Sequence, residues 1–158
     1  MSTIADKLAR EELVDMVPYQ SARRLYASGS DTSSANSNKI WINANEASGP
    51  GIYAIDSNCI NRYPDFQPDN LINAYSEYAG LSPANILATR GADEGIELII
   101  RTFCKAYQDS ILICPPTYGM YAISAENHGA NIMRVPLVDN QLNIEAIKAQ
   151  VGKVKVVF

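Results

Sequence analysis

Residues 86–97 read ILATRGADEGIE: an apolar run, a glycine, then helix-forming residues. That order predicts a strand, a tight turn and a helix start. The first turn of a helix presents unpaired N–H groups at the positive end of its dipole, so it can take an anion. Gly91 permits the turn and a close backbone approach. Asp93 and Glu94 suit the dipole but would repel a phosphate. A phosphate held here must therefore rest on backbone N–H groups, with both carboxylates turned aside. Spacing alone favours the plainer account, an ordinary αβ turn with acidic capping. The segment is neither a Walker loop nor a dinucleotide fingerprint.

Three further segments hold candidate binding residues. CPPTYGMY, residues 114–121, follows another apolar run, and a tyrosine there can lie against a planar aromatic ligand. Tyr118 and Tyr121 serve equally well as packing residues. In NRYP, residues 61–64, Arg62 and Tyr63 could both reach a phosphate. A loop anchored by a half-buried tyrosine explains that segment just as well. PYQSARR, residues 18–24, pairs Tyr19 with Arg23 and Arg24, and arginines so near a chain start are usually solvated.

Regular elements must position these residues. Residues 4–16 are raggedly amphipathic, with Pro18 as a stop, and 27–38 (ASGSDTSSANSN) read as a polar loop. Residues 39–43 predict a short strand. Leu71, Ile72, Tyr75, Tyr78 and Ala79 share one helical face, with Gly80 as the C-terminal stop. Ser82-Pro83 predicts a capped turn and 86–89 a strand. Gly91 opens a helix with Ile96, Ile99, Ile100 and Phe103 inward.

SILIC, residues 110–114, is a strand of the kind covered on both faces. Thr117 is placed to cap a helix running to about His128. A strand at 131–135, a helix capped by Asn143 with Ile144, Ile147 and Val151 inward, and a strand at 154–158 complete the rhythm. Strand and helix alternate from residue 86 onward, which predicts an α/β architecture with a largely parallel sheet. An apolar strand at the very end of the sequence suggests a chain that continues past Phe158.

Composition narrows the function classes. The 158 residues are 47% hydrophobic and 19% charged, with a net charge of −4. This is a globular composition with a real core. It lacks the basic face that nucleic acid requires. No apolar run reaches membrane-spanning length, and acidic residues in the first twenty argue against a transit peptide. Cys59, Cys104 and Cys114 have no metal-like spacing and read as free thiols in a reducing compartment. The single histidine, His128, reads as structural. The cytoplasm is the expected address.

Taken in order, PYQSARR, WINANE, NRYP, RGADEGIELIIR and CPPTYGMY resemble the successive signatures of the histidinol-phosphate aminotransferases. These are pyridoxal-phosphate enzymes of fold type I, the aspartate-aminotransferase-like α/β fold. The resemblance runs from Leu8 to Phe158. It implies that the backbone amides of Ala92 and Asp93 bind the phosphate of pyridoxal 5'-phosphate and that Tyr118 stacks on its ring. It further implies that Tyr63 reaches the cofactor phosphate of a neighbouring subunit in a homodimer with shared sites, and that Tyr19 helps bind the substrate phosphate. The implied reaction is amino transfer between L-histidinol phosphate and 2-oxoglutarate, in histidine biosynthesis.

By the same resemblance, residues 1–50 form an N-terminal arm, a polar loop and a small-domain segment. Residues 51–158 then begin the large cofactor-binding domain of an incomplete three-layer sheet. The family's SPNNPTG segment, its ring-nitrogen aspartate, its Schiff-base lysine and its substrate-carboxylate arginine are expected beyond Phe158. None of Lys7, Lys39, Lys105, Lys148, Lys153 and Lys155 has the catalytic context, so these 158 residues alone are expected to be inactive. The polar stretch 27–38 is longer than the family's usual loop. A related threonine-phosphate decarboxylase shares phosphate recognition, and a non-enzymatic remnant is the third reading.

Overall fold

The computed structural model describes residues 4–17, 19, 42, 44–49, 51–55, 57–58 and 60–158. The expected stop at Pro18, the polar stretch 27–38, nearly all of the 39–43 strand, Arg23, Arg24 and Cys59 lie outside them. The chain divides into two compact units, one of Met1–Tyr19 with Thr89–Phe158, the other Gln20–Ala88.

The first unit is built on a parallel sheet of β1 (Ser110–Ile113), β2 (Asn131–Arg134) and β3 (Val156–Val157) in the order β2-β1-β3. Ser110 pairs with Asn131 and Ile113 with Arg134 on one side of β1. On the other side Ile111 pairs with Val156 and Leu112 with Val157. The strand periodicity divides the core between two faces. Ile111 and Ile113 pack with Ile96, Ile100, Cys104, Ala125 and Ala130. Leu112 packs instead with Cys114 and Val135, joined by Ala146 and Ile147. An unbroken apolar strand is thus covered on both faces, as its composition predicts.

Helix α4 (Ala92–Phe103) and helix α5 (Met120–His128) supply the first face, and α6 (Ile144–Lys148) the second. Only part of each expected apolar stripe is inward. Ile96 and Ile100 are buried, whereas Ile99 and Phe103 are exposed, because α4 offers the sheet a narrow i, i+4 stripe. In α6 Asn143 Oδ1 accepts from the Ala146 N–H at 3.1 Å, the expected cap. Ile144 and Val151 are nevertheless exposed: the helix ends at Lys148, before Val151, and turns Ala146 and Ile147 inward.

Two other boundaries move. The helix expected from Thr117 begins at Met120 with Gly119 as its cap residue, past Tyr118. The N-terminal amphipathic stretch forms two short helices, α1 (Ile4–Leu8) and α2 (Glu11–Val14), broken at Arg10, whose backbone is extended. The Arg10 guanidinium donates to Tyr107 Oη at 2.9 Å and to the Asn127 carbonyl in the last turn of α5, where a cation suits the helix dipole. His128 Nε2 lies 2.8 Å from the Cys104 carbonyl oxygen, a structural role.

In the second unit, α3 (Asp69–Ala79) ends on Gly80, whose φ of 66° is the left-handed stop expected of a glycine. Of its apolar face only Ile72 is buried; Leu71, Tyr75 and Tyr78 are exposed. A 3-10 turn follows at Pro83–Asn85, without a side-chain cap from Ser82. Residues 86–89 do not form the expected strand. Ile86 is extended, yet the partner is a side chain: the Ala88 N–H donates to Gln67 Oε1 at 2.8 Å, and Gln67 Nε2 donates to the Ala88 carbonyl at 3.2 Å. A glutamine amide replaces the neighbouring strand at that point.

Candidate functional site

The start of α4 is organised by Gly91, which adopts φ 80° and ψ 180°. An L-residue rarely holds that φ, so glycine is required by conformation. The Gly91 N–H donates to the Thr89 carbonyl at 2.8 Å, and Thr89 Oγ1 donates to the Gly91 carbonyl at 2.8 Å, closing the turn. No side chain caps the helix, and a β-carbon placed on Gly91 would meet nothing within 4 Å. The first-turn residues Ala92 and Asp93 are exposed, and no side chain caps their helix end.

Both acidic side chains of this turn are engaged. Glu94 Oε2 accepts the Arg90 N–H at 2.5 Å, and its other oxygen accepts from the Arg90 guanidinium at 2.9 and 3.2 Å. The hydrogen bonds from Arg90 hold the Glu94 carboxyl below its ordinary range, and the same pairing raises the Arg90 guanidinium. Asp93 Oδ1 accepts from Tyr118 Oη at 2.9 Å. That bond, with some burial, pushes the Tyr118 phenol up.

Tyr118 stands 43% exposed, between the β1 end and α5. Tyr121 meets it edge-on at 5.7 Å and 88°, and is itself stacked on Phe158 at 4.6 Å and 8°. Tyr118 thus offers an open ring while Tyr121 is enclosed by other rings. Tyr19 joins the same cluster: its Cε2 and Cδ2 would stand 3.0 and 3.4 Å from a β-carbon on Gly119.

Of the five residues singled out in the sequence, Ala92, Asp93, Tyr118 and Tyr19 lie in this group. Tyr63 belongs to the second unit, where its ring is fully exposed. Gly119, Phe158 and Arg90 as the partner of Glu94 escape a reading by motif. Gly119 did leave a sequence signal, as a glycine inside TYGM at a helix start.

A cleft of about 320 Å³ also opens between α4 and α5, lined by Arg90, Asp93, Glu94, Met120, Ser124 and Asn127. Asp93 lines it, whereas Ala92 and Tyr118 do not. An uncapped helix start with its carboxylates tied off, beside a half-exposed aromatic face, fits a planar group bearing a phosphate.

A family model described as aminotransferase class I and II matches residues 29–158. The chain belongs to that family. It is 71% identical over 158 residues to a histidinol-phosphate aminotransferase of Colwellia psychrerythraea, covering 97% of this chain and 42% of that protein. The crystal structure of the Clostridium acetobutylicum histidinol-phosphate aminotransferase matches with TM-score 0.54 at 30% identity, over 63% of this chain and 29% of that one. That of the Sinorhizobium meliloti histidinol-phosphate aminotransferase in complex with pyridoxal-5'-phosphate matches with TM-score 0.53 at 26% identity, over 61% and 26%. The chain thus spans about 42% of the length of these curated relatives. Its parallel sheet with helices on both faces is the α/β fold of those neighbours.

Proposed function

We propose that the protein carrying this chain is a pyridoxal-phosphate-dependent histidinol-phosphate aminotransferase. On this reading it exchanges an amino group between L-histidinol phosphate and 2-oxoglutarate in histidine biosynthesis. The observation that supports the reading is the linkage of the uncapped α4 start to Tyr118, through the hydrogen bond from its hydroxyl to the Asp93 carboxylate. The 71% identity to a histidinol-phosphate aminotransferase supports the choice of reaction.

In this proposal the Ala92 and Asp93 N–H groups hold the cofactor phosphate. Gly91 keeps side-chain atoms out of their way, and the Tyr118 ring lies against the pyridine face. The cofactor, when bound, supplies an electron sink for cleavage of a bond at the amino-bearing carbon. Asp93 fixes the tilt of Tyr118 through its hydroxyl, and Arg90 holds Glu94 off the phosphate. Tyr19 takes the substrate phosphate. We assign proton transfer to none of the six lysines.

The proposal extends to a homodimer in which Tyr63 reaches the partner's cofactor phosphate, supported by the full exposure of its ring. It also takes residues 1–50 as arm and small-domain segment and 51–158 as the start of the large domain. A cytoplasmic address is in keeping with the buried free thiols of Cys104 and Cys114. No helix among the described residues is long and apolar enough to cross a membrane.

The test is an assay of the full coding sequence with pyridoxal phosphate, offering L-histidinol phosphate with 2-oxoglutarate or threonine phosphate alone. Glutamate formation from the first pair is expected. Carbon dioxide release from threonine phosphate, with no amino transfer, would replace this reading by a decarboxylase.

A further inference from the structure

Gly119 differs from Gly80, Gly91 and Gly152. These have positive φ and nothing within 4 Å of an added β-carbon, so backbone conformation requires them. Gly119 has φ −64° and ψ −25°, ordinary right-handed helical values that any residue adopts. What is special there is space. A β-carbon would stand 3.0 Å from Tyr19 Cε2 and 3.4 Å from Cδ2, tighter than side chains normally pack. The Tyr19 ring lies where the side chain of residue 119 would be.

We propose that Gly119 is a positioning residue for the phosphorylated amino donor, acting by seating the Tyr19 ring beside Tyr118. The inference rests on the reading above that Tyr19 takes the substrate phosphate. Tyr118 is itself fixed by its bond to Asp93, at the helix start assigned to the cofactor phosphate. One glycine therefore sets the spacing between a ring that faces the cofactor and a phenol that meets the substrate. Tyr19 is near enough for its charge to push the Tyr118 phenol up further, a lesser contribution than the bond to Asp93. An alanine at 119 would displace the Tyr19 ring by a few tenths of an ångström or more, while leaving Ala92, Asp93 and Tyr118 in place.

The test is a double-mutant cycle on the full-coding-length protein, combining Gly119→Ala with Tyr19→Ala. Gly119→Ala alone should raise KM for L-histidinol phosphate about tenfold, with kcat within about twofold and pyridoxal-phosphate affinity, read by fluorescence titration, unchanged. In the Tyr19→Ala background the same substitution should leave KM where Tyr19→Ala put it, because the ring it collides with is gone. Tyr19→Phe keeps the ring and removes the hydroxyl. It should raise KM without shifting thermal denaturation.

Independent, multiplying effects of Gly119→Ala and Tyr19→Ala on KM would overturn the proposal. So would equal losses of cofactor affinity and substrate affinity in Gly119→Ala. A wild-type protein that does not prefer the phosphorylated donor over histidinol would overturn the reading beneath it. The thermal-denaturation cycle separates the two failures: it remains non-additive if the ring seat is real and the substrate assignment alone is wrong.

Discussion

Tyr118 donates its hydroxyl proton to Asp93 across 2.9 Å, joining the second residue after a proline pair to the first turn of α4, 25 positions earlier. The bond does two things at once. It fixes an aromatic ring that is otherwise half open, and it engages one oxygen of the first-turn carboxylate.

Removing that bond should separate ring from hydroxyl. Tyr118→Phe keeps the stacking face and should cost about 0.5 kcal/mol of stability, the low end for a hydrogen bond because this one is solvent-exposed. Tyr118→Ala removes the face, worth about 0.5–1.5 kcal/mol, so pyridoxal-phosphate affinity should fall up to roughly tenfold. Fluorescence titration of the two variants checks the ranking, and equal losses would mean that the ring does not face the cofactor.

The same bond gives a signature at alkaline pH. Since the Tyr118 phenol is pushed above its ordinary value, the stability it contributes is fully present below that ordinary value. It is lost as pH rises through the raised, folded-state value. Asp93→Asn should return the phenol towards the ordinary range, an earlier rise in phenolate absorbance on titration.

Glu94 behaves in the opposite sense. Its carboxyl is held low by Arg90, so its contribution is present above the ordinary glutamate value and is lost as pH falls through the lowered one. Arg90→Ala should move the Glu94 titration back up, as read by carbon-detected NMR. A Glu94 midpoint that does not respond to Arg90 would show that the pair does not persist in solution.

Gly91→Ala isolates backbone strain. With nothing within 4 Å of the added carbon, its cost comes from the positive φ alone, about 1–3 kcal/mol. Thermal denaturation should report that loss, and cofactor-phosphate affinity should drop with it as the turn readjusts. A neutral substitution would mean that the turn has another conformation in solution.

Ile100→Ala tests the core that carries the site. Ile100 is fully buried among Ile96, Cys104, Ile111 and Ala125, and truncation should cost about 2–5 kcal/mol. Denaturant unfolding should show a lower midpoint at unchanged slope.

The sequence by itself determined the elements whose signals are local. Residues 110–113 could only be a covered strand, Gly80 and Gly91 mark a helix end and a helix start through φ, and Asn143 caps its helix through its own side chain. It also carried the motif order that leads to the aminotransferase family, and the charge argument that acidic side chains must leave a phosphate site. Tertiary structure decided what depends on distant partners. Which apolar residues go inward was settled by the narrow stripe each helix offers the sheet, so Ile99, Phe103, Ile144 and Val151 stay exposed. Residues 86–89 did not form a strand, since the Gln67 amide occupies the hydrogen-bonding edge at Ala88. The resemblance had singled out Tyr118 over Tyr121; that Asp93 bonds to the one and Phe158 stacks on the other is seen only in the fold. The reason is common to all three: propensity and turn chemistry act over a few residues, whereas packing and hydrogen-bond pairing act between residues that the chain alone leaves far apart.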